Sequence, residues 1–409
     1  MDYKIPLAKP TFGSDEILEA IRAMTEGRFT MGERTFKAED MWSRWLGVKH
    51  TILVSSGSMA NLLALVALRI HSKRDTPIKV ITPALTWATT VFPIVQTNSL
   101  PVFLDVRLDT LNINEAALKN YANLHWASSP YPNLPSFAPI IMPIHFLGNP
   151  CNMDLLLEAK ETCKGYLLED ACEAPGAMWK GRKVGTFGDL STFSFFYSHH
   201  LTSMGEGGAI CTDNEELAEI CRSLRNFGNI RQLRDRDKIA EKYSLFDKRH
   251  IFLYVGYNAK MTDVQAAFLI HQIPKLNEMI KERQGTCLEW DRYLVSNYSK
   301  WLRTQLGYAG KSENPRMGFP LLVKSDAPFS KNDLTSFLES KGIETRQLEV
   351  GNIVEQPVAQ RFKYEQAGDL PNARYALRNG FFIGCNGLTD EEKQYVVDAF
   401  DEFFKRYEK

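Results

Sequence analysis

TILVSSGSMANLLALVALRI, residues 51–70, changes its hydrophobic rhythm at two serines flanking a glycine. Its opening, TILVS (51–55), is short, apolar and β-branched, and reads as a buried strand. MANLLALVALRI (59–70) instead repeats its apolar residues at helical spacing. Only Ser56-Gly57-Ser58 separates the two, so a strand runs almost directly into a helix. Backbone N–H groups at such a helix start, the helix dipole and the Ser58 hydroxyl together suit an anion such as phosphate. A plainer reading makes Ser58 the cap of that helix and nothing more.

The alternation continues to about residue 215. Further strand candidates are KVITP (79–83), PVFLDV (101–106), PIIMPIHF (139–146), GYLLED (165–170), STFSFF (191–196) and GAICTD (208–213). Helical segments such as MDLLLEAKETC (153–163) lie between them. Nearly continuous apolar strands alternating with helices indicate a mostly parallel sheet covered on both faces. Ligands of such α/β sheets sit at the carboxyl ends of the strands.

Past Met261 the pattern changes. Residues 262–294 read as one long amphipathic helix, followed by a strand candidate RMGFPLLVK (316–324), a helix DLTSFLESKG (333–342) ended by Gly342, and a final helix at 390–407. At 409 residues the chain exceeds what one core usually organises. We therefore divide it into a large domain, 1–261, and a bridging helix with a smaller α/β domain, 262–409.

Lysine plus arginine and aspartate plus glutamate both number 49, without long blocks of one sign, which argues against nucleic acid or an anionic membrane as the main partner. Apolar runs are too short to span a bilayer, and the N-terminus lacks a signal-like core. Seven scattered cysteines without a CxxC pair suit reduced, buried thiols in a cytoplasmic protein.

Several residues at strand ends could carry chemistry. In LLEDACEAPGA (167–177), Glu169 and Asp170 end an apolar strand. A buried carboxylate there needs a cationic or strongly donating partner, such as a protonated ring nitrogen; otherwise it caps the next helix. Trp87, in TPALTWATT (82–90), would either stack on a flat ligand or pack. Ser194 follows a strand of phenylalanines and could reach a phosphate. His199 and His200 then precede the glycines of MGEGGA (204–209). Adjacent side chains on extended chain diverge, so one imidazole should face the site and the other the core or solvent. Asn258 and Lys260 are polar residues in an otherwise apolar stretch.

Taken in order, SSGSMAN, PALTWATTV, HFLGNPCNMD, EDACEAPGA, GTFGDLSTFSFF, MGEGGA and VGYNAKMTDVQAA closely resemble the nucleotide-sugar aminotransferase (DegT/DnrJ/EryC1/StrS) family of pyridoxal-phosphate enzymes. GFFIGCNGLTDEEKQYVVDAF (380–400) extends the resemblance over nearly the whole chain. The resemblance implies the aspartate-aminotransferase fold (fold type I), with a mostly parallel seven-stranded sheet and a homodimer sharing its active sites. It also implies that Gly57, Ser58 and Ser194 hold the cofactor phosphate, with Asn258 reaching it from the partner subunit. By the same comparison Trp87 stacks on the pyridine ring, Asp170 pairs with its nitrogen, and Glu173 belongs to the cofactor-binding set.

Ordinary members carry a lysine after the FSF segment, whereas this chain has none between Lys183 and Lys238. Counting from Ser194, that place falls on His199; counting back from Gly205, it falls on His200. We favour His199. Histidine there resembles the nucleotide-sugar 3-dehydratases. Imidazole forms no stable imine but moves protons near neutral pH. The resemblance thus implies removal of the C3 hydroxyl from an NDP-4-keto-6-deoxyhexose by a pyridoxamine-phosphate enzyme. Residues 222–252 contain no cysteine, so the branch that uses an iron–sulfur cluster is disfavoured and glutamate is expected to restore the amine. Arg225, Arg231, Arg346 and Asn352 are the candidates for the substrate diphosphate. Competing readings are an aminotransferase using Lys180 or Lys183, and a sensor that binds cofactor without turnover.

Overall fold

A computed structural model describes residues 3–73, 76–127 and 138–408. All seven expected strands form: β1 (His50–Val54), β2 (Lys79–Pro83), β3 (Leu100–Leu104), β4 (Ile140–Ile141), β5 (Tyr166–Asp170), β6 (Leu190–Ser194) and β7 (Gly208–Thr212). They share one sheet in the order β1-β7-β6-β5-β4-β2-β3. β7 alone runs against its neighbours, pairing antiparallel with β1 and β6. The remaining pairs in this series are parallel. β6 and β7 are buried along their full length, and β1, β2, β3 and β5 are buried except at their first residue. Cover on both faces is why their sequences are continuously apolar rather than alternating.

An eighth strand was not foreseen. Glu365–Gln366 pairs parallel to β3 and extends the sheet edge. Two polar residues carry no periodic signal, so only tertiary contact reveals it.

The helices between strands begin at polar caps. Asn152 accepts from Leu155 N–H ahead of helix Met153–Cys163, and Asn214 accepts from Leu217 N–H ahead of helix Glu215–Arg225. The long helix expected over 262–294 is instead two, Asp263–Gln272 and Leu276–Tyr298, joined by a 3₁₀ turn at Ile273–Lys275. Pro274, which has no backbone N–H, interrupts the ladder there.

The C-terminal part builds a four-stranded antiparallel sheet from Leu302–Thr304, Phe319–Val323, Gly380–Ile383 and Thr345–Gln347. Its core includes Trp290, Phe319, Phe381 and Phe400. Another cluster joins Leu85, Phe103 and Phe146 to Leu322, Leu348 and Phe382, packing the two sheets' surroundings together. This junction also walls the site. Among the described residues no helix is long and apolar enough to cross a membrane.

Candidate active site

The residues that follow four strand ends converge on one cavity of about 270 Å³. Ser56, Gly57 and Ser58 come from the end of β1, Trp87 from beyond β2, Asp170, Cys172 and Glu173 from β5, and Ser194, Phe196 and His199 from β6. Met317, Arg346, Glu349 and Phe382 close it from the C-terminal part.

Helix Gly57–His71 aims its N-terminus into this space. Ser56, not Ser58, is its cap: the Ser56 hydroxyl accepts from Met59 N–H at 3.2 Å. Ser58 is thereby left to line the cavity, beside the first N–H groups of the helix, which have no acceptor within it. Gly57 is required by close approach. A Cβ there would lie 2.8 Å from Cβ of Ser194 and 3.1 Å from Sγ of Cys172. Gly208 is equally constrained, since its Cβ would fall 2.4 Å from the Ser56 carbonyl oxygen. Gly208 thus lets β7 pass beside the Ser56–Ser58 turn.

The paired carboxylates at the end of β5 separate as a strand demands. Glu169 points away from the cavity and accepts from the N–H groups of Gly185, Phe187 and Gly188 at 2.7, 2.7 and 2.6 Å. His145 Nε2 lies 3.3 Å from it. Asp170 faces the cavity. Its Oδ2 accepts from Asn61 Nδ2 at 3.0 Å and Thr90 Oγ1 at 2.8 Å, and its Oδ1 accepts from Cys172 N–H at 3.2 Å. No cation pairs with Asp170 among the described residues. Asn61 escaped the sequence reading, although a lone polar residue inside MANLLALVAL is a visible signal. Trp87, half exposed, precedes helix Ala88–Gln96 without a side-chain capping bond and lines the cavity.

The two histidines diverge. His199 Nδ1 lies 2.8 Å from the Cys172 carbonyl oxygen, which can only accept, so Nδ1 carries the proton and Nε2 keeps its lone pair. Burial pushes His199 down to about 4, with the neighbouring Arg283 guanidinium adding to the effect. Arg283 also donates to the carbonyls of His199 and Met317, at 3.1 and 3.0 Å. His200 does not reach the cavity. It is fully buried with Nε2 3.3 Å from the Pro315 carbonyl oxygen, and burial drives its pKa well below the ordinary value. A turn, with His199 N–H bonded to the Phe196 carbonyl at 3.0 Å, produces this divergence.

Four other expected residues lie elsewhere. Arg225 is buried, its guanidinium paired with Glu39 and bonded to the Leu53 carbonyl at 2.8 Å and Gln232 at 2.9 Å. Arg231 is exposed and donates to the Arg249 carbonyl at 3.0 Å. Asn352 is fully buried, bonded to Glu355 at 3.2 Å. Asn258 is exposed, holding Lys260 Nζ at 2.6 Å. Arg346 alone of the substrate candidates lines the cavity. Lys180 and Lys183 are also remote, Lys180 paired with Asp154 at 2.6 Å and Lys183 bonded to the Trp45 carbonyl. The described cavity lining contains no lysine.

Known proteins share this arrangement of chain. A 3-dehydratase of Saccharopolyspora spinosa acting on dTDP-4-dehydro-2,6-dideoxy-D-glucose is 34% identical over 95% of this chain and 84% of its own. The GDP-4-keto-6-deoxy-D-mannose 3-dehydratase of Yersinia pseudotuberculosis is 32% identical over 95% of both. A crystal structure of GDP-4-keto-6-deoxymannose-3-dehydratase with a trapped PLP-glutamate geminal diamine superposes with a TM-score of 0.84 at 30% identity, covering 96% of this chain and 99% of that one. The signature of the DegT/DnrJ/EryC1/StrS aminotransferase family matches residues 10–401, and the chain belongs to that family.

Proposed function

We propose that this chain is a pyridoxamine/pyridoxal-phosphate-dependent 3-dehydratase that removes the C3 hydroxyl of an NDP-4-keto-6-deoxyhexose, with glutamate restoring the amine cofactor. One observation carries this reading: the side chain aimed into the cavity beyond β6 is the imidazole of His199, and no lysine among the described residues lines the cavity. The two relatives are 3-dehydratases of different nucleotide sugars, which supports the same reaction class.

The residues fit such a cofactor. The N-terminus of helix Gly57–His71, with Ser58 and Ser194, suits its phosphate. Asp170, buried without a cation, suits a protonated pyridine nitrogen, and Trp87 offers a flat apolar face. When bound, the cofactor supplies an electron sink conjugated to the sugar. His199 Nε2, unprotonated at neutral pH and aimed into the cavity, would serve there as the base that accepts a proton. Cys172 holds the ring in the tautomer that makes Nε2 the base.

The active unit we propose is a homodimer, with Asn258 of each chain completing the other's phosphate site. Its support is a set of exposed apolar side chains around Asn258: Val255 is 93% exposed, and Phe227 and Phe252 are also exposed. His199→Asn should bind cofactor, read by its absorbance, yet lose turnover by about 10²-fold or more. Full activity in that variant contradicts the reading. Borohydride treatment with pyridoxal phosphate should leave no pyridoxyl-lysine; a modified lysine would favour the aminotransferase alternative.

A further inference from the structure

Asn61 is the polar residue inside MANLLALVAL, one helical turn beyond Gly57 and so on the face of helix Gly57–His71 that carries the cavity turn. It is 2% exposed, where an amide is tolerated only when its donors and its acceptor are bonded. All of them are. Nδ2 donates to the Thr89 carbonyl at 3.2 Å and to Asp170 Oδ2 at 3.0 Å, and Oδ1 accepts from Thr192 Oγ1 at 2.6 Å. Turned over, the amide would set its oxygen against two acceptors, the Thr89 carbonyl and the Asp170 carboxylate. Only the observed orientation satisfies every atom, and the Thr192 hydroxyl locks it.

Thr192 is fully buried and stands beside Asp170 on the neighbouring strand, the two being partners in the β5–β6 register. Thr90, from the helix after β2, is the second side-chain donor to Asp170 Oδ2, at 2.8 Å. Side chains from three elements thus converge on one carboxylate at the end of β5. Oδ1 accepts from Cys172 N–H at 3.2 Å. A carboxylate oxygen takes about two donors, so Oδ1 is the one with room for a donor from the cavity that Asp170 lines. The amide and the two hydroxyls are neutral. They fix the direction of the carboxylate and leave its charge for a ligand.

We propose that Asn61, locked by Thr192, is a positioning residue that with Thr90 turns Asp170 so that Oδ1 meets the ring N–H of a bound pyridoxal- or pyridoxamine-phosphate cofactor. This rests on the pairing of Asp170 with the ring nitrogen in the reading above. A neutral, rigid clamp keeps the negative charge aimed at one point, and that charge holds the ring nitrogen protonated. Gly57 and Ser58 lie in the first turn of the helix and Asn61 in its second, so one rigid element sets both the phosphate seat and the ring contact. Releasing Asp170 would leave the phosphate seat in place and lose the ring contact.

NMR of the holoenzyme, carrying pyridoxal phosphate labelled at its ring nitrogen with the heavy isotope, tests this, because that resonance reports protonation. Wild type and Thr192→Ser, which keeps the hydroxyl, should show the protonated resonance. Thr192→Val and Asn61→Leu should move it towards the unprotonated position and lower kcat by about 10²-fold, with little change in sugar-nucleotide KM. A merely structural role would lower the unfolding temperature of these variants and leave the resonance in place. Thr192→Val keeps the shape of the side chain and decides the outcome should Asn61→Leu not fold. Asp170→Asn is the control for the pairing itself. Loss of the protonated resonance in Asp170→Asn but not in Thr192→Val or Asn61→Leu overturns the positioning role and spares the pairing. A wild-type resonance in Asp170→Asn overturns both.

Discussion

At residue scale, the position that matters most is held by very few atoms. The Cys172 carbonyl fixes the His199 tautomer, and the Arg283 guanidinium fixes the backbone that carries the ring. Both histidines stay neutral when folded, which ties stability to pH. An unfolded histidine takes up a proton near pH 6.5, whereas burial holds folded His199 down to about 4. The unfolded state therefore binds more protons between these values. Stability contributed by the neutral rings is complete above about pH 6.5 and falls as the pH drops towards 4. Urea midpoints measured across that window should show the decline, and His200→Gln should flatten it. Arg225 yields a contrasting prediction. Its buried pairing with Glu39 makes it a structural residue, so Arg225→Ala should cost about 3–5 kcal/mol of stability. Sugar-nucleotide KM should hardly change; a large KM effect in a fully stable variant would return Arg225 to the substrate site. Sequence alone could not sort Arg225 from Arg346, because an arginine's partner is a tertiary fact. The two histidines were separable in principle, since neighbouring side chains diverge, but which one faced the cavity depended on the turn at Phe196–His199.

At the scale of the elements, the strand-to-helix unit of residues 50–71 was legible because a short, continuously apolar β-branched run gives way to period 3.6 across two serines flanking a glycine. The cap within it was not, as Ser56 and Ser58 are chemically alike. Ser56→Ala should cost about 1 kcal/mol, the usual value for a lost cap. Ser58→Ala should leave the thermal midpoint of the cofactor-free protein nearly unchanged and weaken cofactor binding. Reversal of those two outcomes, read by thermal unfolding and cofactor titration, would restore Ser58 as the cap. The break at Pro274 and the edge strand Glu365–Gln366 show the other limit. The interior proline marks the break in the sequence itself, whereas a two-residue strand has no pattern to read.

For the whole molecule, the mostly parallel sheet could be read strand by strand, but the cavity could not. It needs Met317, Arg346, Glu349 and Phe382 from the C-terminal part, far along the chain from β1, β5 and β6. The family resemblance supplied the large-domain residues by motif, while Glu349 lies in QLEVGN, which belongs to none of the quoted motifs. The exposed apolar surface around Asn258 makes a prediction at the same scale. Val255→Asp should shift the protein from dimer to monomer in analytical ultracentrifugation and lower cofactor affinity with it. A monomeric wild type that binds cofactor fully would end the shared-site proposal.

The dehydratase account itself stands or falls on the fate of one oxygen atom. Purified protein, loaded with pyridoxamine phosphate and supplied with glutamate, would be incubated with GDP- and CDP-4-keto-6-deoxyhexoses and the sugar products weighed by mass spectrometry. The arrangement of His199 in a cavity whose described wall has no lysine predicts a product that has lost the C3 oxygen and gained no nitrogen. A product that keeps its oxygen and carries a new amino group would contradict it.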